Sequence, residues 1–471
     1  MHFSALASTT GSADRPQGLA DLAPYWRAGL GLFLLALLLR LACFTGLIAS
    51  DDDLLYASYA QRIAEGLYTL EYHHYAIRYG LILPAGLLYK LVGVNEWSTI
   101  AVPLFASSLS VVLLALIATR LFGIRAGLIA ALLYATFPIQ LRYATVLVPE
   151  PIVECYVLLA LVIYVWTEDW QPMVMGWLAG VLIGIAYLTK EPALFIAPAL
   201  LIDAALRRRW RNAIGIALGI SAIILLEHAY YVAITGDLLF RPHAMAAHNQ
   251  RMILPTGEVN YGSLSFRLFK AYPRMMLLPN VDFGLHSLGA LIAAAWALLR
   301  FRKDRRIYFL LIWAAIPWLY LNFGTSSFSR YIPIPAAPRY IEFAYPPLFL
   351  LMAWLLADLT LKANWEKRLL LGLMACVAFV GLICGLSTRA TGYRAAHVAV
   401  LRVIADKAEK EGISSACFDI PADLRLQSRW QPALAILGRG RLKECDKAQS
   451  HIIVRVDKLG FPYVASREPS P

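Results

Sequence analysis

The amino-acid sequence predicts an all-α, polytopic membrane protein. Of its 471 residues, 59% are hydrophobic and only 16% are charged, and the mean hydropathy is +0.59. Soluble domains carry about 25% charged residues. The apolar runs suit helices, which need about 20 residues to cross a bilayer, and they lack the alternating pattern of membrane β-strands. The chain is therefore predicted to be a bundle of membrane-spanning helices.

About eleven such runs follow one another along the chain. The first, at 28–49, is longer than the apolar core of a signal peptide and has no clear small-residue cleavage site. We therefore interpret it as an uncleaved anchor that follows a cytoplasmic segment at 1–27. The other runs lie at 98–119, 126–140, 151–166, 173–189, 192–206, 213–235, 283–299, 307–322, 341–359 and 369–386. Residues 28–389 thus form the predicted transmembrane module.

Basic residues in the short loops predict the orientation of this module. With the N-terminus in the cytoplasm, four basic loops fall on the cytoplasmic side, at 120–125, 207–211, 300–306 and 362–368. This arrangement satisfies the positive-inside rule. The net charge of +12 is then mostly a consequence of topology, and it does not require a nucleic-acid partner. We expect a multi-pass protein of the inner (plasma) membrane.

The same orientation places two long loops, 50–97 and 236–282, on the outer face. The apolar segment 81–94 is short, and counting it as a span would move all four basic loops outside, so we expect a helix that lies along the outer interface. Residues 390–471 are also predicted to be extracytoplasmic. They combine an amphipathic helix at 395–410 with strands at 416–420 and 451–456, which predicts a small α/β domain, and Cys417 and Cys445 are candidates for a disulfide within it.

Three consecutive carboxylates, Asp51, Asp52 and Asp53, open the first outer loop. The apolar residues of 54–64 share one helical face, which predicts a short amphipathic helix on the membrane surface. Acids in its first turn complement the helix dipole by about 0.3–1 kcal/mol each. Dipole complementation does not require three adjacent charges beside hydrocarbon, so we interpret the cluster as catalytic, and which of the three acids acts stays open.

Further ionisable residues are predicted on the same outer face. They lie at the ends of spans or in the second long loop, and they are Glu150, Lys190, Arg241, His243, His248 and Arg251. A carboxylate can act as a general base towards a hydroxyl, and cations can stabilise a phosphate leaving group. The combination indicates glycosyl transfer from a lipid phosphate.

Structural alternatives exist for these residues. Glu150 also suits the first turn of the next helix, and Lys190 can pair with its neighbour Glu191. Histidines in a loop are more often solvated than bound to a ligand, so no metal is predicted. Inside the membrane, Arg40 and Glu227 lie at similar predicted depths and are expected to pair, because an unpaired charge there is expensive. Otherwise Arg40 snorkels or meets another acceptor, and Glu227 bonds to Tyr230 or His228.

Several segments resemble GT-C glycosyltransferases, specifically the bacterial relatives of protein O-mannosyltransferases and of aminoarabinose lipid A transferases. The first is DDLLYA at 52–57, followed by a short helix that ends in Gly66. The resemblance continues in RYGLILPAGLLYKLVG, YLTKEPAL, LLEHAYYVAITGDLLFRP and PRYIEFAYPPLFLL, at 78–93, 187–194, 225–242 and 338–351. Two positions depart from the family, which commonly has Glu at Asp53 and a Pro-Pro pair at Pro84.

The resemblance implies the GT-C fold and an inverting transferase. Its donor is a polyprenyl-phosphate sugar, its acceptor is a hydroxyl of an envelope lipid, glycan or protein, and it needs neither a nucleotide sugar nor another cofactor. On this basis Asp52 is the expected general base, with Asp53 beside it, and Glu150 positions a substrate. The residues expected to bind the substrates are Asp51, Tyr56, Arg78, Lys190, Arg241, His243, His248, Arg251, Arg330, Arg339 and Tyr340.

Two other functions fit the same composition. A transporter or flippase of lipid-linked sugars would carry ionisable residues along a path near the midplane of the membrane. Here the acids gather at the outer helix ends, and no repeated halves are apparent. A non-catalytic protein that binds lipid-linked sugar is the third alternative.

Overall fold

The computed structural model describes residues 25–44, 51–167, 170–250, 263–278, 280–300, 304–325, 331, 333–334, 336–359, 364–387, 393–419, 427–442, 451–456 and 462–468. Two of the predicted site residues, Arg251 and Arg330, lie outside these ranges, as does Cys445. For Asp51 and His248 only the backbone is described.

The chain forms a helical bundle that is followed by a small sheet. The helices of the bundle are α1 (Trp26–Ala42), α2 (Asp51–Glu65), α3 (Tyr79–Val92), α4 (Glu96–Phe122), α5 (Ile124–Ala135), α6 (Pro138–Tyr143), α7 (Pro149–Trp166), α8 (Pro172–Thr189), α9 (Ile196–Leu206), α10 (Trp210–Thr235), α11 (Phe240–Gln250), α12 (Leu264–Phe266), α13 (Tyr272–Leu277), α14 (His286–Arg300), α15 (Arg305–Phe323), α16 (Pro338–Ile341), α17 (Tyr345–Asp358) and α18 (Asn364–Ser387). A 3₁₀ turn (Glu191–Phe195) precedes α9, and a π turn (Arg267–Ala271) joins α12 to α13.

Each of the eleven predicted spans overlaps a helix of this bundle, but 126–140 is divided between α5 and α6, and the end of 28–49 lies outside the described residues. Within the described ranges, seven helical segments are long and apolar enough to cross a membrane: α4, α7, α8, α10, α15, the unit 338–358 that ends in α17, and α18. The protein is therefore an integral membrane protein. The count of eleven spans and their orientation remain predictions.

Small residues let α8 and α10 pack closely against each other. Gly176 and Gly180 on α8 face Gly215 and Gly219 on α10, so each helix carries a pair of glycines four residues apart. A Cβ atom on Gly176 would lie 2.5 Å from the Asn212 carbonyl oxygen, and one on Gly180 would overlap the backbone of α10. Such stripes allow two membrane helices to approach closely and gain dispersion contacts.

Replacement of Gly180 by alanine is expected to destabilise the protein by about 1–3 kcal/mol, because the added methyl group pushes the two helices apart. The measurement is the unfolding temperature of the purified protein in detergent. Gly31 on α1 is the matched control, since a Cβ atom there meets nothing within 4 Å. Equal unfolding temperatures for Gly180→Ala and Gly31→Ala would contradict this account of the α8–α10 packing.

The loop predicted to be the first outer loop, 50–97, contains α2 and α3, which pack against each other. The helix α2 begins at the three acids, as predicted, and buries Leu54, Ala57 and Ala60. The helix α3 buries one face against the bundle and exposes an apolar stripe on the other, formed by Leu83, Leu87 and Leu91. This stripe is the surface that an interfacial helix presents to lipid.

The C-terminal part contains two helices and a three-stranded sheet. They are α19 (Tyr393–Lys410), β1 (Ser415–Phe418), α20 (Gln427–Leu437), β2 (His451–Val456) and β3 (Pro462–Glu468). The strand β2 pairs with β1 in parallel, with Cys417 opposite Ile453, and with β3 in antiparallel. Both predicted strands are thus found, and Cys417 is disulfide-bonded. An ion pair of 2.5 Å between Arg402 and Glu96 connects α19 to α4; a separate domain at 390–471 remains a prediction.

The predicted pairing of Arg40 with Glu227 is wrong. Arg40 packs towards α4, where it donates to the Ser107 hydroxyl at 2.6 Å and to the Ala36 carbonyl oxygen at 3.3 Å. Glu227 instead accepts from Arg241 at 2.5 Å. The similar predicted depths of Arg40 and Glu227 do not lead to a contact, because their helices pack against different neighbours: α1 packs on α4, and α10 packs on α8.

Candidate active site

Four helix ends meet at the predicted outer face and position the ionisable side chains. Pro149 is the first residue of α7, so Glu150 lies in the first turn of that helix. Lys190 follows the last residue of α8 in an extended conformation, with φ −162° and ψ 131°. Pro338 begins α16 and is followed at once by Arg339. The fourth end is the start of α2.

Asp52, in the first turn of α2, contacts a cation and a phenol. The Arg339 guanidinium donates to Asp52 Oδ2 at 2.5 Å, and the Tyr75 hydroxyl donates to Oδ1. Burial alone would raise the pKa of Asp52, but Arg339 and Tyr75 together hold this pKa below its ordinary value. The carboxylate is therefore ionised, and because 21% of the side chain is exposed, a substrate hydroxyl can reach it.

Glu150 and Lys190 form a buried ion pair, in which the lysine Nζ lies 2.6 Å from Glu150 Oε1. Lys190 Nζ also lies 4.5 Å from the centroid of the Tyr340 ring and 5.5 Å from that of Phe343. The alternative that Lys190 pairs with its neighbour Glu191 is therefore wrong. Glu150 Oε2 is buried and accepts no hydrogen bond from the described residues.

Glu191 links two arginines next to this pair. Arg78 and Arg241 each place Nη1 2.6 Å from a Glu191 oxygen. Burial raises the pKa of Glu191, but the two guanidinium groups outweigh burial and lower this pKa to about 2. Arg241 also donates to Glu227 and, at 2.8 Å, to the Ile77 carbonyl oxygen, which connects the start of the loop 236–282 to the loop 50–97.

Three other predicted site residues, Tyr56, Asp53 and His243, differ in their burial and in the groups that they contact. Tyr56 is buried, with its ring centroid 4.8 Å from that of Tyr75. Asp53 is also buried, and its carboxylate accepts the Leu54 backbone N–H at 2.8 Å. His243 is more than half exposed and pairs with Asp237 at 2.8 Å, away from the contacts of Asp52.

Sequence reasoning missed three residues that the structure places in this network. Tyr75 lies in the segment EYHHYAIRYG, where no spacing distinguishes it from its aromatic neighbours. Glu191 was considered only as a partner for Lys190. The sequence predicts Glu227 inside the membrane, paired with Arg40, whereas the structure pairs it with Arg241 from the loop 236–282.

The charges of the site are balanced in pairs. The carboxylates in these contacts are Asp52, Glu150, Glu191 and Glu227, and the cations are Arg78, Lys190, Arg241 and Arg339. A bound phosphate must therefore compete with a carboxylate for each of these cations. Across the described ranges, no group of three or more His, Cys, Asp and Glu residues is arranged to hold a metal ion.

A family model and several solved structures resemble this chain, and both point to membrane glycosyltransferases. The family model for dolichyl-phosphate-mannose-protein mannosyltransferases matches residues 83–231, which include Glu150, Lys190 and Glu227. No curated protein sequence gives a significant match to the chain.

Solved structures share the fold at low sequence identity. ArnT from Cupriavidus metallidurans bound to undecaprenyl phosphate is 15% identical, with a TM-score of 0.60 and coverage of 93% of this chain and 94% of that one. Its apo state is 17% identical, with a TM-score of 0.55 and coverage of 89% and 75%. The apo oligosaccharyltransferase of Archaeoglobus fulgidus is 13% identical, with a TM-score of 0.56; the match covers 89% of this chain and 64% of that longer one. The resemblance to mannosyltransferases and to ArnT that the sequence motifs predict is confirmed, and the chain shares the fold of these solved structures.

Proposed function

We propose that the protein transfers a sugar from a polyprenyl-phosphate donor to a hydroxyl group of a cell-envelope lipid, glycan or protein. The observation that carries this proposal is the ionised Asp52 carboxylate, held by Arg339 and Tyr75 beside the Lys190–Glu150 pair. The undecaprenyl phosphate in the ArnT structure supports a donor of this class. The reaction takes place at the outer face of the inner (plasma) membrane, with the N-terminus in the cytoplasm.

The geometry supports a single displacement with inversion at the sugar. Asp52 takes the acceptor proton as the acceptor oxygen forms its bond to the anomeric carbon. The bond from that carbon to the phosphate oxygen breaks on the opposite face, and its electron pair leaves with the phosphate, which gains a negative charge. Lys190 and Arg339 stabilise this charge, and Glu150 Oε2 orients a sugar hydroxyl.

Arg339 couples donor binding to the basicity of Asp52. Its guanidinium has a carboxylate partner in the free protein, and a phosphate offers the same bidentate geometry with more negative charge. When Arg339 moves to the phosphate, Asp52 loses a cation that lowers its pKa. The carboxylate then becomes a stronger base at the moment when the donor is in place.

The pH dependence of transfer tests this coupling. A base acts only when it is deprotonated, so the lowered pKa of Asp52 keeps the acidic limb of the kcat/KM profile below the pH of an ordinary aspartate. In Arg339→Gln the pKa of Asp52 rises because a neighbouring positive charge is lost, and we expect this limb to move to higher pH. Arg306→Gln, which removes an arginine paired with Asp304, is the control. An acidic limb that stays in place would contradict the role of Arg339.

The function itself is tested by comparing the lipid-linked sugars and the envelope glycans of cells with and without the gene. Loss of the gene should leave one polyprenyl-phosphate sugar unused and remove the same sugar from one lipid, glycan or protein. Purified protein should then restore the transfer from that donor in vesicles. Accumulation of the donor on the cytoplasmic leaflet, with a purified protein that moves this lipid across the bilayer but does not transfer its sugar, would indicate a flippase instead. An unchanged set of envelope sugars would contradict the proposed function.

A further inference from the structure

Two further carboxyl groups, those of Glu154 and Glu342, meet inside the bundle, apart from the ion pairs of the candidate active site. Glu154 lies on α7, and Glu342 begins the 3₁₀ turn Glu342–Ala344, which joins α16 to α17. Both residues are buried, and both lie in helical segments that are long and apolar enough to cross a membrane. Ionisable side chains at such positions are costly and commonly have a function.

A single amide group contacts both carboxyl groups. Nε2 of Gln140, on α6, donates to Glu154 Oε2 and to Glu342 Oε1. The opposite side of the amide determines its orientation. A guanidinium can only donate, so the Ser107 hydroxyl accepts from Arg40 Nε at 2.6 Å and donates its own proton to Gln140 Oε1 at 3.3 Å. The two N–H bonds of the amide are therefore directed at the two carboxyl groups.

Among the described residues, polar atoms without a hydrogen-bond partner line this cluster. They include Glu154 Oε1, Glu342 Oε2 and the hydroxyl of Tyr134, a fully buried residue of α5 that approaches Glu154. Buried carboxylate oxygens without a partner indicate a bound proton or metal cation. A hard metal cation would take the amide oxygen of Gln140 as a ligand, but this oxygen is turned to Ser107, so the geometry favours a proton.

The charges around the two carboxyl groups indicate how many protons they hold. Their common hydrogen-bond partner is a neutral amide, and Arg40, at the end of the hydrogen-bond chain, supplies one positive charge. The Lys190–Glu150 ion pair also acts on Glu342, but its two charges oppose each other. Two ionised carboxylates would leave one buried negative charge uncompensated, and they would repel each other across a single nitrogen atom.

We propose that Glu154 and Glu342 together bind one proton, as a carboxylic acid beside a carboxylate. The pair then carries one negative charge, which Arg40 balances. This proton site does not depend on the proposed function, but it lies one turn from the candidate active site. Glu154 follows Glu150 by four residues of α7, and Glu342 follows Arg339 by three. The proton therefore stabilises the contact between the two segments that carry these active-site side chains.

Infrared difference spectra of the full-length protein in detergent at neutral pH test the proton count. A buried carboxylic acid has a C=O stretching band that a carboxylate lacks. This band should be present in the wild type and lost in both Glu154→Gln and Glu342→Gln, because the carboxylate that remains in either variant is balanced by Arg40 without a proton. Glu96→Gln removes a carboxylate that is paired with Arg402, and as the matched control it should keep the band.

The unfolding temperature in detergent gives an independent count of the charges. Each single glutamine variant should unfold at about the wild-type temperature, because one negative charge remains to balance Arg40. The double variant Glu154→Gln and Glu342→Gln should unfold several degrees lower, since Arg40 is then a buried cation without a counter-charge. Addition of Arg40→Met to the double variant should restore most of this loss.

Three outcomes would overturn the proposal. The first is a wild type without the carboxylic acid band, and an unfolding temperature that also rises with Na⁺ or Mg²⁺ would assign the pair to a metal cation. The second is retention of the band in one of the single variants, which would place the proton on one residue independently of its neighbour. The third is failure of either single variant to fold while Glu96→Gln folds, which would show that both carboxylates are ionised. None of these measurements uses sugar transfer, so they are independent of the test of the proposed function.

Discussion

Replacement of Asp52 by asparagine is expected to reduce sugar transfer by about 10²–10⁴-fold, the usual contribution of a general base. Asparagine has nearly the same shape, and its amide oxygen can still accept from Arg339 or Tyr75. It cannot take a proton from the acceptor hydroxyl. The measurement is the rate of transfer from lipid-linked sugar in membranes at matched protein levels, together with the affinity for undecaprenyl phosphate, which should change little.

Asp53→Asn is the matched control for this experiment. Asp53 is the adjacent carboxylate on the same helix, and its contact with the Leu54 backbone N–H is one that an asparagine oxygen can keep. We expect Asp53→Asn and Asp51→Asn to retain most of the activity. Substantial transfer by Asp52→Asn would assign the base to Asp53 or Asp51. Similar small losses of transfer activity in all three variants would indicate that the three acids only complement the helix dipole.

The membrane explains why the helices were predictable. In hydrocarbon every backbone polar group must be bonded within its own segment, so a long apolar run can only be a helix. The runs at 98–119 and 213–235 accordingly correspond to α4 and α10, with ends shifted by a few residues. The acids at the start of α2 were identifiable for a related reason, because their charge contrasts with the apolar sequence around them.

The pairing of charges was not predictable in the same way, because it depends on which helix faces which. Arg40 and Glu227 have similar predicted depths, but depth does not determine the rotation of a helix about its axis. Lys190 and Glu191 are neighbours in the chain, yet Lys190 has an extended backbone and its side chain bonds to Glu150, 40 residues away. Tyr75 lies 23 residues after Asp52, in the irregular segment 66–78 that follows α2, and no local pattern encodes the path of that segment.

The Lys190–Glu150 pair allows catalysis and folding to be separated in one set of variants. Replacement of Lys190 by methionine alone should destabilise the protein by about 3–5 kcal/mol, because it leaves the buried Glu150 carboxylate without its cation. The double variant Glu150→Gln and Lys190→Met removes both charges, so most of the stability should return. The unfolding temperature in detergent measures this recovery.

Transfer should not recover with stability. If Lys190 stabilises the departing phosphate, its loss costs about 10²–10³-fold in rate, and removal of the opposing carboxylate cannot replace the missing cation. The double variant should therefore fold like the wild type and remain inactive, with a weakened affinity for undecaprenyl phosphate. Glu150→Gln alone, which keeps Lys190, should bind this lipid at least as well as the wild type because a competing carboxylate is gone. If the double variant regains both stability and transfer, the pair only supports the fold, and the phosphate is held by other cations.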